Sequence, residues 1–152
     1  MADWAVIGIG NILMGDDGAG VRVLELLPER VPKIDLATGG MRLLHKLEGL
    51  NTAIIVDAVD FGGEPGEVTV FLPETVKSLK ATGYSLHDVD ILKVLELAKE
   101  LEKSPRNIFI VAIQPANVGY QEGLSPEVQA ALPKLASEIM AVSYTHLRAH
   151  ET

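Results

Sequence analysis

Two carboxylates and an imidazole follow predicted strands in a pattern that could bind a divalent metal ion. Asp16 and Asp17 come after the first strand, Asp57 ends the third, and His87 lies in the loop that follows the fourth. In open α/β sheets, ligands bind where strands end and the following loops diverge, so these side chains are expected at one edge of a sheet. One of the two adjacent aspartates, with Asp57 and His87, would supply two oxygen ligands and one nitrogen ligand to a borderline cation.

Each of these residues also has a structural interpretation. Asp16 or Asp17 could cap the first helix, where a carboxylate offsets the positive end of the helix dipole. Asp57 could accept a hydrogen bond from a neighbouring loop, although an ionisable group that ends a buried strand is costly unless it is paired or bound to a cation. His87 is predicted in the first turn of a helix, where the dipole favours the neutral imidazole that ligates metal. His45 is predicted to be a partly exposed surface residue of an amphipathic helix.

The glycine-rich loop after the first strand does not match a nucleotide-binding signature. It lacks the third glycine of the dinucleotide fingerprint, and the segment from Gly10 to Gly15 is not followed by the lysine and hydroxyl of a P-loop. Asp16 and Asp17 would also repel a phosphate. The glycines, Gly10 among them, are therefore predicted to provide a tight turn and a close backbone approach to a ligand. No nucleotide partner is expected.

Alternating strands and helices must position these residues. Several strands are near-continuous apolar runs, which is typical of a parallel sheet covered on both faces. The sequence therefore predicts an α/β fold, a three-layer α/β/α sandwich with a mostly parallel, about five-stranded sheet. Strands are predicted at residues 4–9, 34–37, 52–57, 67–72 and 107–113, and helices at 17–27, 41–47, from Pro73, from about Ser85 and from Pro126, with Ser125 as the last N-cap.

Composition and charge exclude several classes of function. The chain of 152 residues carries 13 basic and 21 acidic side chains, a formal net charge of -8, which disfavours nucleic acid and anionic membranes as partners. No cysteine is present, which excludes disulfides, thiolate metal sites and cysteine nucleophiles. The N-terminus shows no basic leader, and its apolar run is too short for a membrane span, so a cytoplasmic protein is expected.

The last ten residues differ in character from the rest. Residues 1–142 are predicted to form a single domain, whereas 143–152 break the preceding helical pattern and resemble a translated cloning adaptor. We interpret 143–152 as a non-native tail. His146 and His150 are therefore set aside as site residues.

The loop from Gly8 to Val21, with the sequence GIGNILMGDDGAGV, resembles the opening motif of the NiFe-hydrogenase maturation proteases. These endopeptidases trim the C-terminal extension from the large subunit of the hydrogenase. Further similarities occur in the family's order at Ile55–Ala58, Ser85–His87 and Gly123–Pro126. Together the matches run from about residue 4 to residue 140.

The resemblance implies a compact α/β sandwich that cleaves the hydrogenase large-subunit precursor. It assigns both metal binding and catalysis to Asp17, Asp57 and His87. Nickel would be supplied by the substrate, so that only a metal-loaded precursor is cleaved. One departure from the family occurs at residues 36–41, where relatives often carry a longer stretch containing Asp-Gly-Gly, and substrate contacts there stay undefined.

Two mechanisms fit these residues. In one, the substrate nickel is the recognition element and also polarises the scissile carbonyl or activates a water, with Asp17 or Asp57 as the base. In the other, the enzyme carries its own divalent metal at the same site, although the His-Glu-x-x-His motif of many metallopeptidases is absent. Asp16 would orient a ligand or hold Asn11. Asn11 would brace the loop or donate its amide to an oxyanion.

Two functions without proteolysis also fit part of the pattern. A non-catalytic chaperone that senses metal in the hydrogenase precursor would need the same three ligands. A receiver-like signalling domain also has an acidic pair after its first strand and an aspartate ending its third. Receivers, however, need a lysine at the end of the fifth strand, where this chain has Gln114.

Overall fold

A five-stranded sheet forms the centre of the molecule. The computed structural model describes residues 3–38, 40–75, 89–117 and 119–150. The strands are β1 (Trp4–Ile9), β2 (Lys33–Ala37), β3 (Thr52–Ala58), β4 (Val68–Phe71) and β5 (Asn107–Ile113), arranged in the order β2-β1-β3-β5-β4. The helices are α1 (Ala19–Arg22), flanked by the 3-10 helices Gly15–Gly18 and Val23–Leu26, then α2 (Arg42–Leu47), α3 (Val89–Glu100) and α4 (Pro126–His150).

Four of the five strands are parallel, and β4 runs antiparallel to β5 at one side of the sheet. The carboxyl ends of β1, β2, β3 and β5 therefore share one edge, which we call the carboxyl edge. Four loops emerge there, at residues 10–18, 38–41, 59–67 and 114–125. The site residues predicted at the ends of the first and third strands therefore lie at this edge.

Alternating side chains of the strands contribute to two separate hydrophobic cores. Ile54 and Val56 of β3 pack with α1 and α4 on one face, whereas Ala53 and Ile55 pack with α2 and α3 on the other. Helices thus cover both faces of the sheet, which confirms the predicted three-layer sandwich. The parallel strands are apolar on both faces for this reason.

The strand predictions are accurate to within one residue, but the first helix is less regular than expected. The predicted helix at 17–27 is instead a 3-10 turn, one turn of α-helix and a second 3-10 turn. Glycine has low helix propensity, and Gly15, Gly18 and Gly20 fall in this segment. The predicted helix start near Ser85, and most of the helix predicted from Pro73, lie outside the described residues.

The C-terminal helix continues beyond the expected break at residue 143. Helix α4 extends to His150, and the buried Ser143 hydroxyl donates a hydrogen bond to the Met140 carbonyl at 2.8 Å. The imidazole of His146 also stacks on Phe109, with ring centroids 4.1 Å apart. The change in sequence pattern at 143 is therefore not a change in secondary structure. The non-native origin of 143–152 stays a prediction.

Gly20 brings the first helix onto the ends of two strands. A Cβ atom at this position would clash with two backbone carbonyl oxygens. One belongs to Val56, and the other, that of Ile9, would lie 2.6 Å from the Cβ atom. Only glycine allows α1 to lie this close to the carboxyl edge. Because Asp17 precedes Gly20 by one turn and Asp57 follows Val56, this contact brings the two aspartates into the same region.

We expect Gly20→Ala to lower the free energy of unfolding by about 2 kcal/mol, because both clashing carbonyls belong to strand backbones that cannot shift. Gly119→Ala is the matched control, since its added methyl would meet only the Asn117 Oδ1 atom at 3.4 Å. Chemical denaturation of both variants measures the difference. Equal stability of the two variants would contradict the proposed close contact.

Candidate functional site

The carboxylate of Asp16 is fully buried and accepts four hydrogen bonds. Its Oδ2 atom accepts from the backbone N–H groups of Ala116 (2.8 Å) and Asn117 (2.9 Å) and from the Ser125 hydroxyl (2.8 Å). Its Oδ1 atom accepts from the Ser125 N–H at 2.7 Å. Asp16 therefore connects the first loop to a segment about a hundred residues later in the chain. Its role is to fasten two loops of the carboxyl edge together.

Backbone hydrogen bonds reinforce the same connection. Gly15 N–H donates to the Gln121 carbonyl and Asp16 N–H to the Asn117 carbonyl, both at 2.7 Å. Gln121 N–H in turn donates to the Leu13 carbonyl at 3.2 Å. The first loop and the loop after β5 are thus paired along their backbones, and the next residue, Asp17, starts from a fixed position.

Asp17 differs from its neighbour because only one of its oxygens is satisfied. The Oδ2 atom accepts a hydrogen bond from the Asn11 N–H at 2.9 Å. The Oδ1 atom is buried and has no hydrogen-bond partner among the described residues. A buried carboxylate oxygen without a donor costs free energy unless a cation or a ligand approaches it. Asp17 is therefore the aspartate of the pair that is available for a ligand.

Asp57 is buried within β3, one residue before the strand ends at Ala58. Its Oδ1 atom accepts a hydrogen bond from the Ala58 N–H at 2.9 Å, and Asp57 takes part in a further interaction. By alternation along β3, it lies on the face of Ala53 and Ile55, which α2 and α3 cover. The strand also packs against the 3-10 helix that contains Asp17.

His87 lies outside the described residues, so the predicted trio is only partly visible. Within the described ranges, no three His, Asp or Glu side chains come together in a way that would hold a metal ion. Two of the three predicted ligands, Asp17 and Asp57, belong to neighbouring elements at the carboxyl edge. The metal-binding and catalytic assignments of all three stay predictions.

Several structural interpretations can be decided. Neither Asp16 nor Asp17 is a helix cap, because both lie inside the 3-10 helix, which has no side-chain cap. The suggestion that Asp16 holds Asn11 is wrong, since the Asn11 N–H donates to Asp17. The Asn11 side chain accepts from the Leu13 N–H at 2.9 Å and so braces the loop, and His45 is exposed as expected. The close approach at Gly10 is to the Asp17 carbonyl, within the loop itself.

Two residues that shape this edge were not predicted to contact its loops. Ser125 was expected only as an N-cap, a role it keeps with a hydrogen bond from Val128 N–H at 3.4 Å, but its hydroxyl also donates to Asp16. Gln114, where a receiver would have lysine, accepts from the N–H groups of Phe61 (2.9 Å) and Gly63 (3.0 Å) and organises the loop after β3. No local pattern reveals such partners, because they are distant in sequence.

A family model described as hydrogenase maturation protease matches residues 21–142. The chain belongs to this family. A relative from Escherichia coli strain K12, hydrogenase 2 maturation protease, is 30% identical over 143 residues, which cover 90% of this chain and 87% of the relative. The hydrogenase expression/formation protein HupD of Bradyrhizobium diazoefficiens is 32% identical over 147 residues, 90% of this chain and 77% of that protein.

Solved structures in the family share the architecture. The hydrogenase maturating endopeptidase HybD of E. coli superposes with a TM-score of 0.83 at 29% identity, covering 95% of this chain and 93% of that one. The NiFe hydrogenase maturation protease HybD of Thermococcus kodakarensis gives a TM-score of 0.77 at 25% identity, with 93% and 99% covered.

Membership of this family confirms the predicted enzyme class, a peptidase, and the resemblance of the opening motif. The receiver-like interpretation is thereby excluded. Within the described ranges, none of the helices combines the length and the apolar character needed to cross a bilayer.

Substitution by asparagine should change the stability of the protein very differently at the two adjacent aspartates. Asp16→Asn is expected to lower the free energy of unfolding by about 3 kcal/mol, because the amide NH₂ would face a donor wherever it is placed. Asp17→Asn should change it by less than about 1 kcal/mol or raise it, because the amide oxygen keeps the Asn11 hydrogen bond and a partly desolvated negative charge is removed.

Urea denaturation of the two variants and of Ser125→Ala tests this contrast. Ser125→Ala removes one of the four donors to Asp16 and should give an intermediate loss of about 1–2 kcal/mol. A larger loss for Asp17→Asn than for Asp16→Asn would show that the buried pairing is assigned to the wrong aspartate.

Proposed function

We propose that this protein is an endopeptidase that removes the C-terminal extension of a NiFe-hydrogenase large-subunit precursor after nickel insertion. Asp17, Asp57 and His87 recognise the nickel that the substrate carries, and the same three residues form the catalytic centre. The observation that carries the proposal is the buried Oδ1 atom of Asp17, which has no hydrogen-bond partner among the residues that the structure describes. The protein is expected to act in the cytoplasm.

The Oδ1 atom of Asp17 supports a cation ligand because no donor in the described part of the chain satisfies it. Counting described donors, the neighbouring Asp16 receives four hydrogen bonds, whereas Asp17 receives one, from Asn11. A divalent cation bound to the second oxygen would compensate the desolvation of that carboxylate. Asp17 can therefore complete a metal's coordination without breaking a structural contact.

The topology supports the inclusion of Asp57 and His87. Asp57 lies on the face of the sheet that α3 covers, and α3 begins at Val89, two residues after His87. The short loop 101–106 connects the end of α3 to the start of β5 at the opposite edge. A helix of this length spans ~18 Å. Its first turn is thus directed towards the carboxyl edge.

The donor set explains why cleavage would depend on nickel. Two carboxylates and one imidazole suit a borderline divalent ion such as nickel better than a hard ion such as magnesium. With no cation present, the two carboxylates and the imidazole have no metal to coordinate on the precursor. A nickel ion on the substrate adds the missing positive charge, polarises nearby carbonyl groups and lowers the pKa of a bound water, with Asp17 or Asp57 accepting the proton. A divalent ion resident in the enzyme is the alternative.

The proposal predicts that purified protein shortens a nickel-loaded precursor and leaves the nickel-free precursor intact. Intact-mass spectrometry of the precursor before and after incubation measures the loss of the C-terminal extension. Added nickel without precursor loading should have no effect if the metal belongs to the substrate. Retention of the extension in both samples, despite binding, would support a non-catalytic chaperone instead.

Substitution of the site residues should stop cleavage without unfolding the protein. Asp57→Asn and His87→Ala are expected to lower the cleavage rate at least about a thousandfold, because each removes a ligand and a catalytic group together, while the melting temperature changes by a few degrees. His45→Ala is the matched control, since His45 is exposed on α2. Normal cleavage by either site variant would remove that residue from the site.

The adjacent aspartates also differ in their expected effect on cleavage. Per folded molecule, Asp17→Asn should reduce the rate more than Asp16→Asn, because Asp17 contacts the metal and Asp16 only fixes the loop. The same mass-spectrometric assay, with rates normalised to the folded fraction, measures both variants. The reverse order would assign the ligand to Asp16.

A further inference from the structure

Three large apolar side chains are exposed at the tips of the two paired loops. Leu13 is 61% exposed, Ile12 is 45% exposed and Tyr120 is 92% exposed. Leu13 and Tyr120 are neighbours across the pairing, because the Leu13 carbonyl accepts from the N–H of Gln121, the residue after Tyr120. We call Ile12, Leu13 and Tyr120 the loop-tip surface. Exposed apolar groups that cluster in this way are typical of binding sites.

The loop-tip surface is held in place by the folded core beneath it. The backbone bridge between Met14 and Gln121 and the four hydrogen bonds of Asp16 fix both loops. Ile12 also packs against Gly18, where an added Cβ would meet the Ile12 Cα at 2.8 Å. The backbone that carries the exposed side chains is thus already ordered, which lowers the entropic cost of binding a partner.

The surroundings of the loop-tip surface are acidic. The described parts of the four carboxyl-edge loops contain no Lys, Arg or His, and their acidic residues are Asp16, Asp17, Asp60, Glu64, Glu67 and Glu122. The nearest described basic residue along the chain is Arg42, at the start of α2. Basic residues such as Arg30, Lys103 and Arg106 lie near the opposite edge. A partner that approaches the carboxyl edge therefore gains from carrying positive charge.

We propose that the loop-tip surface docks the hydrogenase precursor, through a precursor face that presents apolar and basic side chains beside its metal centre. This inference rests on the proposed function and adds the surface by which the substrate is recognised. Asp17 is four residues after Leu13 in the same loop, so a precursor that brings its nickel to Asp17 comes close to the loop-tip surface. Apolar contacts would supply affinity, and the acidic loops would steer the approach.

The test compares wild type with a double variant that carries both Leu13→Ser and Tyr120→Ser. We use a nickel-loaded large-subunit precursor and measure its Kd by biolayer interferometry and its KM and kcat by mass spectrometry. The double variant should raise Kd and KM by about tenfold or more, with a much smaller change in kcat, because docking is lost while the metal ligands are intact. Leu101→Ser, which changes a 49% exposed leucine at the end of α3, is the matched control.

The outcomes separate the docking surface from the proteolytic function. Wild type that binds the precursor without cleaving it overturns the proposed function, and a raised Kd for the double variant still supports the docking surface. Wild type that cleaves the precursor with an unchanged KM in the double variant overturns the docking surface alone. If wild type neither binds nor cleaves the precursor, both proposals are overturned.

The proposed electrostatic attraction is tested by the salt dependence of KM. Raising the salt concentration from about 50 mM to 500 mM should raise KM for the precursor, because screening weakens attraction between the acidic loops and basic groups. Glu122→Gln should reduce this salt dependence, whereas Glu29→Gln, an exposed change at the opposite edge, should not. A KM that falls with salt would contradict a basic docking face.

Discussion

The buried carboxylate of Asp16 is the interaction on which the carboxyl edge depends. Its four hydrogen bonds tie the first loop to the segment that leads into α4. Backbone hydrogen bonds from Gly15 to Gln121 and from Gln121 to Leu13 reinforce this connection between the loops after β1 and β5. Because Asp16 is fully satisfied, it is unavailable to a ligand. Within the described ranges, the adjacent Asp17 receives a single hydrogen bond, and its buried Oδ1 atom receives none. Two neighbouring residues of the same type thus differ: Asp16 has a structural role, and Asp17 has the functional role that we propose.

The sheet supplies the platform for this division. Parallel strands bring the ends of β1 and β3 to one edge, and Gly20 lets the first helix lie against both of them. The antiparallel β4 returns the chain from the same edge, and Gln114 holds the connecting loop by accepting from the N–H groups of Phe61 and Gly63. The loops after β1, β3 and β5 are thus all held by hydrogen bonds at the carboxyl edge. Loops braced in this way hold the side chains of Asp16 and Asp17 in fixed positions.

The sequence was sufficient to predict the sheet and the position of Asp57. Apolar runs at β1, β3 and β5 identify buried parallel strands, because such strands need no polar face. The loop motif, by its resemblance to a family, also selected Asp17 over Asp16. Sequence alone did not reveal that Asp16 pairs with Ser125 and the backbone of Ala116 and Asn117. Those contacts join distant parts of the chain and depend on how the loops pack, which no local periodicity encodes.

The sequence pattern also did not predict the irregular first helix or the exposed loop tips. Spacing of apolar residues indicated a regular helix at 17–27, but close packing of a glycine-rich segment against the strand ends produced 3-10 turns instead. Leu13 was part of the family motif, and its exposure of 61% follows only from its place at the tip of a paired loop. Side-chain exposure in loops is a property of the tertiary structure.

The central claim is that Asp17, Asp57 and His87 bind one cation together. Anomalous diffraction from crystals of the full chain soaked in cadmium tests it most directly. The account predicts one anomalous peak at about 2.0–2.6 Å from a carboxylate oxygen of Asp17, a carboxylate oxygen of Asp57 and an imidazole nitrogen of His87. Cadmium bound only to exposed carboxylates, with the Oδ1 atom of Asp17 still unliganded, would contradict it.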